Sequence, residues 1–344
     1  MDAQRQPTLQ TIADAAGVSR MTVSYALRND PRLAEATRRR IQELARRLDY
    51  RPNPHIAVLM SHLRATRPAK VRATLAFLTT AYPPGSWRNY PYTGEIIQGA
   101  IDHARELGYQ LDEFCLEEPG MTGDRLSDIL AARGIRGLLI GKQLHPGADL
   151  ALRWERFSCV ALGYSVRSPM LHRVCTDCIQ AVTLAANELR RRGYRRVGYV
   201  TLDDLEERND HLHAAGFLLS QQPVPAAARV PLLCLAARDK AVFAQWLQRH
   251  RPDAVLSFDP QVRGWLQELG GRVPDDVAYV NLIKMGAMGD CAHVAQPGKV
   301  IGASAVDLMV GQFHRNETGV PTHPKTVLIQ GTWVDGASVQ PRPR

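Results

Sequence analysis

In this 344-residue chain, the residues whose types and spacing could do chemistry come almost at the start, in "TLQTIADAAGVSRMTVSYALR", residues 8–28. Arg20, Met21, Thr22, Ser24 and Tyr25 crowd into six positions there. An arginine fork fits a guanine edge and a methionine can meet a thymine methyl. Serine and threonine hydroxyls suit phosphate oxygens, and a tyrosine can contact bases or backbone. This is the chemistry of recognising duplex DNA, not of making bonds.

The surrounding residues must build the elements that present this set. Leu9, Ile12, Ala13 and Ala16 follow the i, i+3, i+4, i+7 stripe of a short helix, with Thr8 placed to cap it. Gly17 tolerates positive φ and allows a sharp turn. Ser19 can then cap a second helix, Arg20 to about Leu27, in which Val23 and Ala26 or Leu27 face inward. Asp30-Pro31 ends it, and a third helix begins near Ala34, with Ile41, Leu44, Ala45 and Leu48 on one face. Three short helices around one small core predict a helix-turn-helix whose second helix enters a major groove. Beyond it, Asn53 as N-cap and Pro54 at the first helical position predict a fourth short helix with Ile56, Leu59 and Met60 apolar. Leu59 could pack against a partner's equivalent helix or wedge into a minor groove. A linker helix docked on the next domain is the alternative.

Charge points to the same partner. Residues 1–70 hold thirteen Lys and Arg against six Asp and Glu, a net +7 of the chain's formal +9. Such a footprint suggests a polyanion, a solvated helix face being the plain alternative. The length exceeds one ordinary domain, so a small module and a larger one are expected. A hydrophobic content of 45% is ordinary for a soluble globular protein, and no run of about 18 apolar residues appears, so no membrane partner is expected. "MDAQRQPT" lacks an apolar signal core, which predicts a cytoplasmic protein. Cys115, Cys159, Cys175, Cys178, Cys234 and Cys291 are scattered, as reduced thiols in a core would be.

After the basic linker "RATRPAK", strand and helix patterns alternate from "ATLAFLTT" to "VAYVNLI", which predicts parallel sheets wrapped by helices in two doubly wound halves. The helix "VIGASAVDLMVGQFHRN" and the strand "KTVLIQGTWV" return to the first half and then to the second. The expected halves are about 71–163 with 297–322, and 164–296 with 323–344. Ligands of such folds sit at strand C-terminal ends, between the halves. The loop "AYPPGSWRNYPY" carries Tyr82, Trp87, Tyr90 and Tyr92, suited to stacking on a sugar or base unless it packs on its own scaffold. Tyr164, Asp177, Arg208, His213, Asp259, Asn281 and Gln296, from other loops, are expected to point inward.

The chain resembles the LacI/GalR family of bacterial transcriptional regulators, through "TLQTIADAAGVSRMTVSYALRN", "ATRRRIQELARRLDYRPN" and the hinge helix after it. The resemblance implies an all-α helix-turn-helix headpiece at 1–52, a hinge helix and linker at 53–70, and an α/β periplasmic-binding-protein-like sensor domain at 71–344. It implies that Arg20, Met21 and Tyr25 read bases, that Thr8, Thr22, Ser24 and Asn53 touch phosphate or backbone, and that Leu59 intercalates. The chain also departs from the family. Ala34 stands where a Ser or Thr usually caps helix three, and Ile56-Ala57 stands where Ala-Arg is common. His213 and Ile283 replace the Arg and Asp that commonly grip ligand hydroxyls, which argues against a free sugar held in the usual manner.

Catalytic signatures of the GxxxxGK[ST], GxGxxG and GxSxG types are absent. Cys175 and Cys178 form a lone CxxC at a strand-to-helix junction, and His211 and His213 lie two apart on a predicted helix, where they do not share a face. No enzyme activity, metal or cofactor is expected. The expected function is a sequence-specific transcriptional regulator, a repressor, that binds a near-palindromic operator in double-stranded DNA as a homodimer. A small-molecule effector in the cleft would modulate it, a carbohydrate being one candidate. A ligand-binding protein with a vestigial headpiece and a nonspecific DNA binder are the alternatives.

Overall fold

The computed structural model describes residues 8–27, 30, 32–48, 50, 73–80, 85–143, 145–283 and 290–342. Tyr82, Asn53 and Leu59, together with the expected hinge helix, lie outside the described residues.

Three helices open the chain: α1 (Leu9–Ala16), α2 (Arg20–Leu27) and α3 (Glu35–Arg47). Ile12, Ala13, Val23, Ala26, Ile41 and Ala45 are buried together, as their spacing predicts. Small side chains let the helices approach closely, and two polar side chains tie them. Arg40 donates to the Ala16 carbonyl at 3.2 Å, and Gln42 to that of Ala26 at 2.8 Å.

The remainder forms two lobes. The strands of the first are β1 (Ala73–Thr79), β2 (Tyr109–Cys115), β3 (Gly137–Ile140), β4 (Ser158–Leu162), β5 (His172–Thr176) and β11 (Thr326–Ile329). They form an all-parallel sheet in the order β11-β5-β4-β3-β1-β2. Those of the second are β6 (Val197–Leu202), β7 (Leu233–Leu235), β8 (Ala254–Ser257), β9 (Ala278–Asn281), β10 (His293–Ala295) and β12 (Thr332–Val334). Their order is β12-β10-β9-β8-β6-β7, with β12 antiparallel to β10.

Period-two alternation places helices on both faces of each sheet. In β1, Leu75 and Phe77 face a core with Ile97 of α4 (Pro91–Glu106) and Ile301 and Met309 of α11 (Gly298–Arg315). Ala76 and Leu78 face the other core, with Leu126 and Leu130 of α5 (Gly123–Ala132). In the second lobe, Tyr199 packs with α6 (Cys178–Arg191) and α8 (Leu212–Ser220). Val200 packs with α9 (Lys240–His250) and α10 (Gln261–Glu268). The short α7 (Asp203–Arg208) follows β6. Helices α4 and α11 nearly touch at two glycines: a Cβ on Gly99 would lie 2.2 Å from the Lys299 carbonyl oxygen, and one on Gly302 1.9 Å from that of Ile96.

The lobe boundaries differ from those expected. Strand β5 belongs to the first sheet, so that lobe runs to Thr176 and not to 163, and β11 returns to it at 326–329. "KTVLIQGTWV" is two strands in different sheets, parted at Gly331, whose Cβ would lie 2.6 Å from Val294 Cγ1. The chain thus crosses between lobes three times: after β5, before α11 and between β11 and β12. Cys234 also departs from expectation. It is exposed, while the other five cysteines are buried. No helix among the described residues is long and apolar enough to cross a membrane.

Candidate nucleic-acid interface and ligand cleft

The headpiece carries the caps its sequence calls for. Thr8 Oγ1 accepts from the Thr11 N–H at 3.2 Å, and Thr11 Oγ1 accepts from the Thr8 N–H at 3.1 Å, a reciprocal capping box. Gly17 takes φ 65° and the Val18 N–H returns to the Ala13 carbonyl, which turns the chain sharply into α2. Ser19 Oγ accepts from the Thr22 N–H at 3.0 Å and lies 2.8 Å from the Thr22 hydroxyl. Arg20 and Met21 are exposed, Met21 to 64%, while Thr22, Ser24 and Tyr25 are half-buried. A helix of eight residues with its inner face closed by Val23 and Ala26 thus offers a polar outer face led by a long cation and a thioether.

Arg32 lies over the Tyr25 ring, 4.2 Å from its centroid, and forks onto Asp30 at 2.9 and 2.7 Å. The hydrogen bonds from Arg32 hold the Asp30 carboxyl well below the usual carboxylate range. With Asp30 so occupied, α3 begins at Ala34 without a side-chain cap, as its sequence predicts. Glu35 in the first turn and Arg46 and Arg47 in the last complement the helix dipole.

Between the lobes lies a cleft of about 610 Å³ whose walls follow strand C-terminal ends. Gly141 and Lys142 follow β3, and Gly163 and Tyr164 follow β4. Thr176 ends β5, and Asp204, Arg208 and Asn209 follow β6. Phe258 and Asp259 follow β8, Ile283 follows β9 and Gln296 follows β10. A chain of hydrogen bonds spans the floor. The Tyr92 hydroxyl lies 2.7 Å from that of Thr176, which donates to Gln296 Oε1 at 2.7 Å, and Gln296 Nε2 donates to the Leu282 carbonyl at 3.0 Å. Arg208 is ion-paired with Asp204. Arg238 binds Asp259 at 2.6 Å, and Asp259 also accepts from the Gln261 N–H at 3.0 Å.

Of the cleft residues expected from sequence, Tyr92, Tyr164, Arg208, His213, Asp259 and Gln296 line it and Tyr90 joins them. Trp87 does not. Residues 86–89 tighten into a 3-10 turn, and the indole is buried in the first-lobe core beneath Arg88. Asn281 is also corrected. It is fully buried, its amide satisfied by the Ile283 N–H at 2.9 Å and by Tyr279 Oη at 3.1 Å. Asp177 caps α6 through the Gln180 N–H. Burial pushes the Cys175 thiol up to about 12 and raises that of Cys178, so both stay protonated at neutral pH. Sequence reasoning missed Lys142, Arg238 and Phe258. Lys142 directly follows "GLLIG", a strand end, and that position was the available signal.

Residues 8–53 match the family model described as "Bacterial regulatory proteins, lacI family". The chain is 24% identical to the HTH-type transcriptional regulator PtxS of Pseudomonas putida over 91% of each protein. It is 25% identical to the HTH-type transcriptional regulator CelR of Thermobifida fusca over 96% of this chain and 97% of that one. Its fold is similar to that of the transcriptional regulator CelR–cellobiose complex, with a TM-score of 0.60 and 21% identity over 97% of this chain and all of the other. It is also similar to that of the lac repressor dimer bound to operator and the anti-inducer ONPF, with a TM-score of 0.57 and 17% identity over 97% and 99%.

Residues 8–53 thus match a DNA-binding domain of bacterial regulators, and the rest of the chain shares its fold with transcriptional regulators. Along its length the chain is similar to regulators of the LacI/GalR family, and the family model itself covers residues 8–53.

Proposed function

We propose that the protein is a sequence-specific repressor that binds a near-palindromic operator as a homodimer. Residues 1–52 would form the headpiece, 53–70 the hinge and linker, and 71–344 the part that binds effector and dimerises. Arg20, Met21 and Tyr25 read base edges in the major groove, while Thr8, Ser19, Thr22 and Ser24 meet phosphates with Asn53. Leu59 wedges between base pairs of the minor groove. The observation that carries the reading is α2 itself, apolar inside and led outside by exposed Arg20 and Met21.

Dimerisation follows from a two-fold site, and the exposed Ile179 of α6 with Leu218 and Leu219 of α8 gives the second lobe an apolar face suited to it. A small molecule in the cleft changes the angle between lobes and hence the spacing of the two hinges. The test is fluorescence anisotropy of operator-length duplexes against salt concentration. Specific duplex should be held at least a thousandfold more tightly than random duplex, with affinity falling linearly on logarithmic axes as salt rises. Equal affinity for both duplexes would overturn the reading.

A further inference from the structure

The polar groups of the interlobe cleft are largely engaged with one another. Asp204 is ion-paired with Arg208, and Asp259 with Arg238. Lys142 is engaged within the protein as well, and it lies in the field of Asp204 as of Arg208. On the floor, the Tyr92 hydroxyl lies 2.7 Å from that of Thr176, and Tyr164 Oη donates to the Thr176 carbonyl at 3.4 Å. Gln296 uses both ends of its amide, and Asn209 donates to the Leu205 carbonyl at 2.7 Å. A polyol seated here would exchange water for groups already bonded, and each hydroxyl left unmet would weaken its binding.

His213, on the cleft wall, stands outside this network. It is only 4% exposed, its ring edge-on to Phe258 at 4.2 Å between centroids, and its Nε2 is buried without a hydrogen-bond partner among the described residues. Burial holds the imidazole neutral, so it lends an anion no charge to offset the loss of water. A hydroxyl suits it in either tautomer, because a hydroxyl both donates and accepts. Much of the remaining wall is apolar. Phe77, Leu162, Val174 and Ile301 reach it from the first-lobe core, and Ile283 and Phe258 from the second lobe.

We propose that the cleft binds a neutral phenol, its ring among the apolar side chains of both lobes and its hydroxyl at the His213 imidazole. This assignment deepens the reading of the cleft as the effector site and rests on it. A phenol brings a single hydroxyl to the imidazole that lacks a partner, and it leaves the two ion pairs and the floor intact. Its ring buries flat apolar surface beside Phe258 and Tyr92, the interaction that an aromatic-lined cleft rewards most.

The experiment uses purified full-length protein at neutral pH, isothermal titration calorimetry and the thermal midpoint. The probes are para-ethylphenol, its methyl ether, which keeps the ring and loses the O–H, para-hydroxybenzoate, which adds a charge, and glucose, a polyol. The phenol should bind saturably and raise the midpoint. The ether and the benzoate should bind at least tenfold more weakly, and glucose should not bind. His213→Leu should weaken the phenol at least tenfold and abolish its advantage over the ether, a loss of discrimination that a merely structural role would not produce. Ile283→Asp, which leaves His213 in place and puts a carboxylate in the apolar wall, should also weaken the phenol. A cooperative melt of each variant shows that it is folded.

Glucose, the benzoate or the ether binding as well as the phenol would overturn the proposal. So would a phenol preference that survives in His213→Leu, undiminished binding in Ile283→Asp, or no saturable binding of the phenol at millimolar concentration. Operator affinity measured on the same samples reports on the regulator reading separately. A phenol that binds without altering operator affinity would support the ligand class and contradict the site's regulatory role.

Discussion

Arg32 stacks on Tyr25, its guanidinium 4.2 Å above the ring centroid, while its fork is held by Asp30 at 2.7 and 2.9 Å. The segment after α2 thus folds back to hold the side chain near the end of that helix. Stacking and the bidentate pair together restrict Tyr25 to one orientation before any DNA arrives. Tyr25→Ala should weaken operator binding by about 1–3 kcal/mol with altered base preference. Asp30→Ala, which frees Arg32, should lose roughly half as much. Anisotropy titrations on operator and single-base variants measure both, and an Asp30→Ala protein that binds like the wild type would show that the clamp has no role.

Arg20 leads α2 and is exposed. Arg20→Ala should relax preference at one base pair per half-site, at a cost of about 1–3 kcal/mol against the preferred base. A uniform loss across all sequences, with a shallower salt dependence, would make Arg20 a phosphate contact instead.

Ala34 caps α3 at φ −55° and ψ 139° with no side chain to hold the first N–H groups. Ala34→Ser should stabilise the headpiece by about 1 kcal/mol. Chemical denaturation followed by circular dichroism would show this as a higher midpoint with unchanged slope, and an unchanged midpoint would show that the first turn is already satisfied.

His213 is buried and neutral, its imidazole pushed down to about 3 from an ordinary 6.5 by burial alone. The unfolded chain takes up this proton below about 6.5 and the folded chain only near 3, so stability from this group is complete above that window and is lost as pH falls through it. Relative to His213→Gln, the wild type should lose up to about 1.4 kcal/mol per pH unit between pH 6 and 4. Parallel pH profiles of denaturant midpoints measure this, and profiles that stay parallel would place the imidazole in water.

The crossing of α4 and α11 gives a control on the lobe architecture. Gly302→Ala places a methyl 1.9 Å from the Ile96 carbonyl oxygen, a backbone atom that cannot step aside without moving α4. A destabilisation of at least about 1–3 kcal/mol should follow, read as a lower thermal midpoint. An unaffected midpoint would contradict the close crossing.

The headpiece was legible because its determinants are local. Ile12 and Ala13 pair with Val23, Ala26 and Ile41 within a few dozen residues, and the caps Thr8 and Ser19 act within three positions. The lobes were legible as alternating strands and helices but not as an assignment of strands to sheets. His172-Arg173 interrupts the apolar run of β5, hiding that strand, and only tertiary pairing separates β11 from β12. Residue type alone did not reveal which way a loop side chain points. Trp87 and Asn281 looked like ligand contacts and are internal, whereas Lys142 and Arg238, which carried no motif to single them out, line the cleft.

The central claim is that α2 reads sequence on a two-fold site. Selection of bound duplexes from a random library by the purified full-length protein tests it most directly. The account predicts enrichment of a near-palindrome whose half-sites change specifically with Arg20→Ala and Tyr25→Ala. Recovery of no motif, or of one motif shared by wild type and both variants, would contradict it.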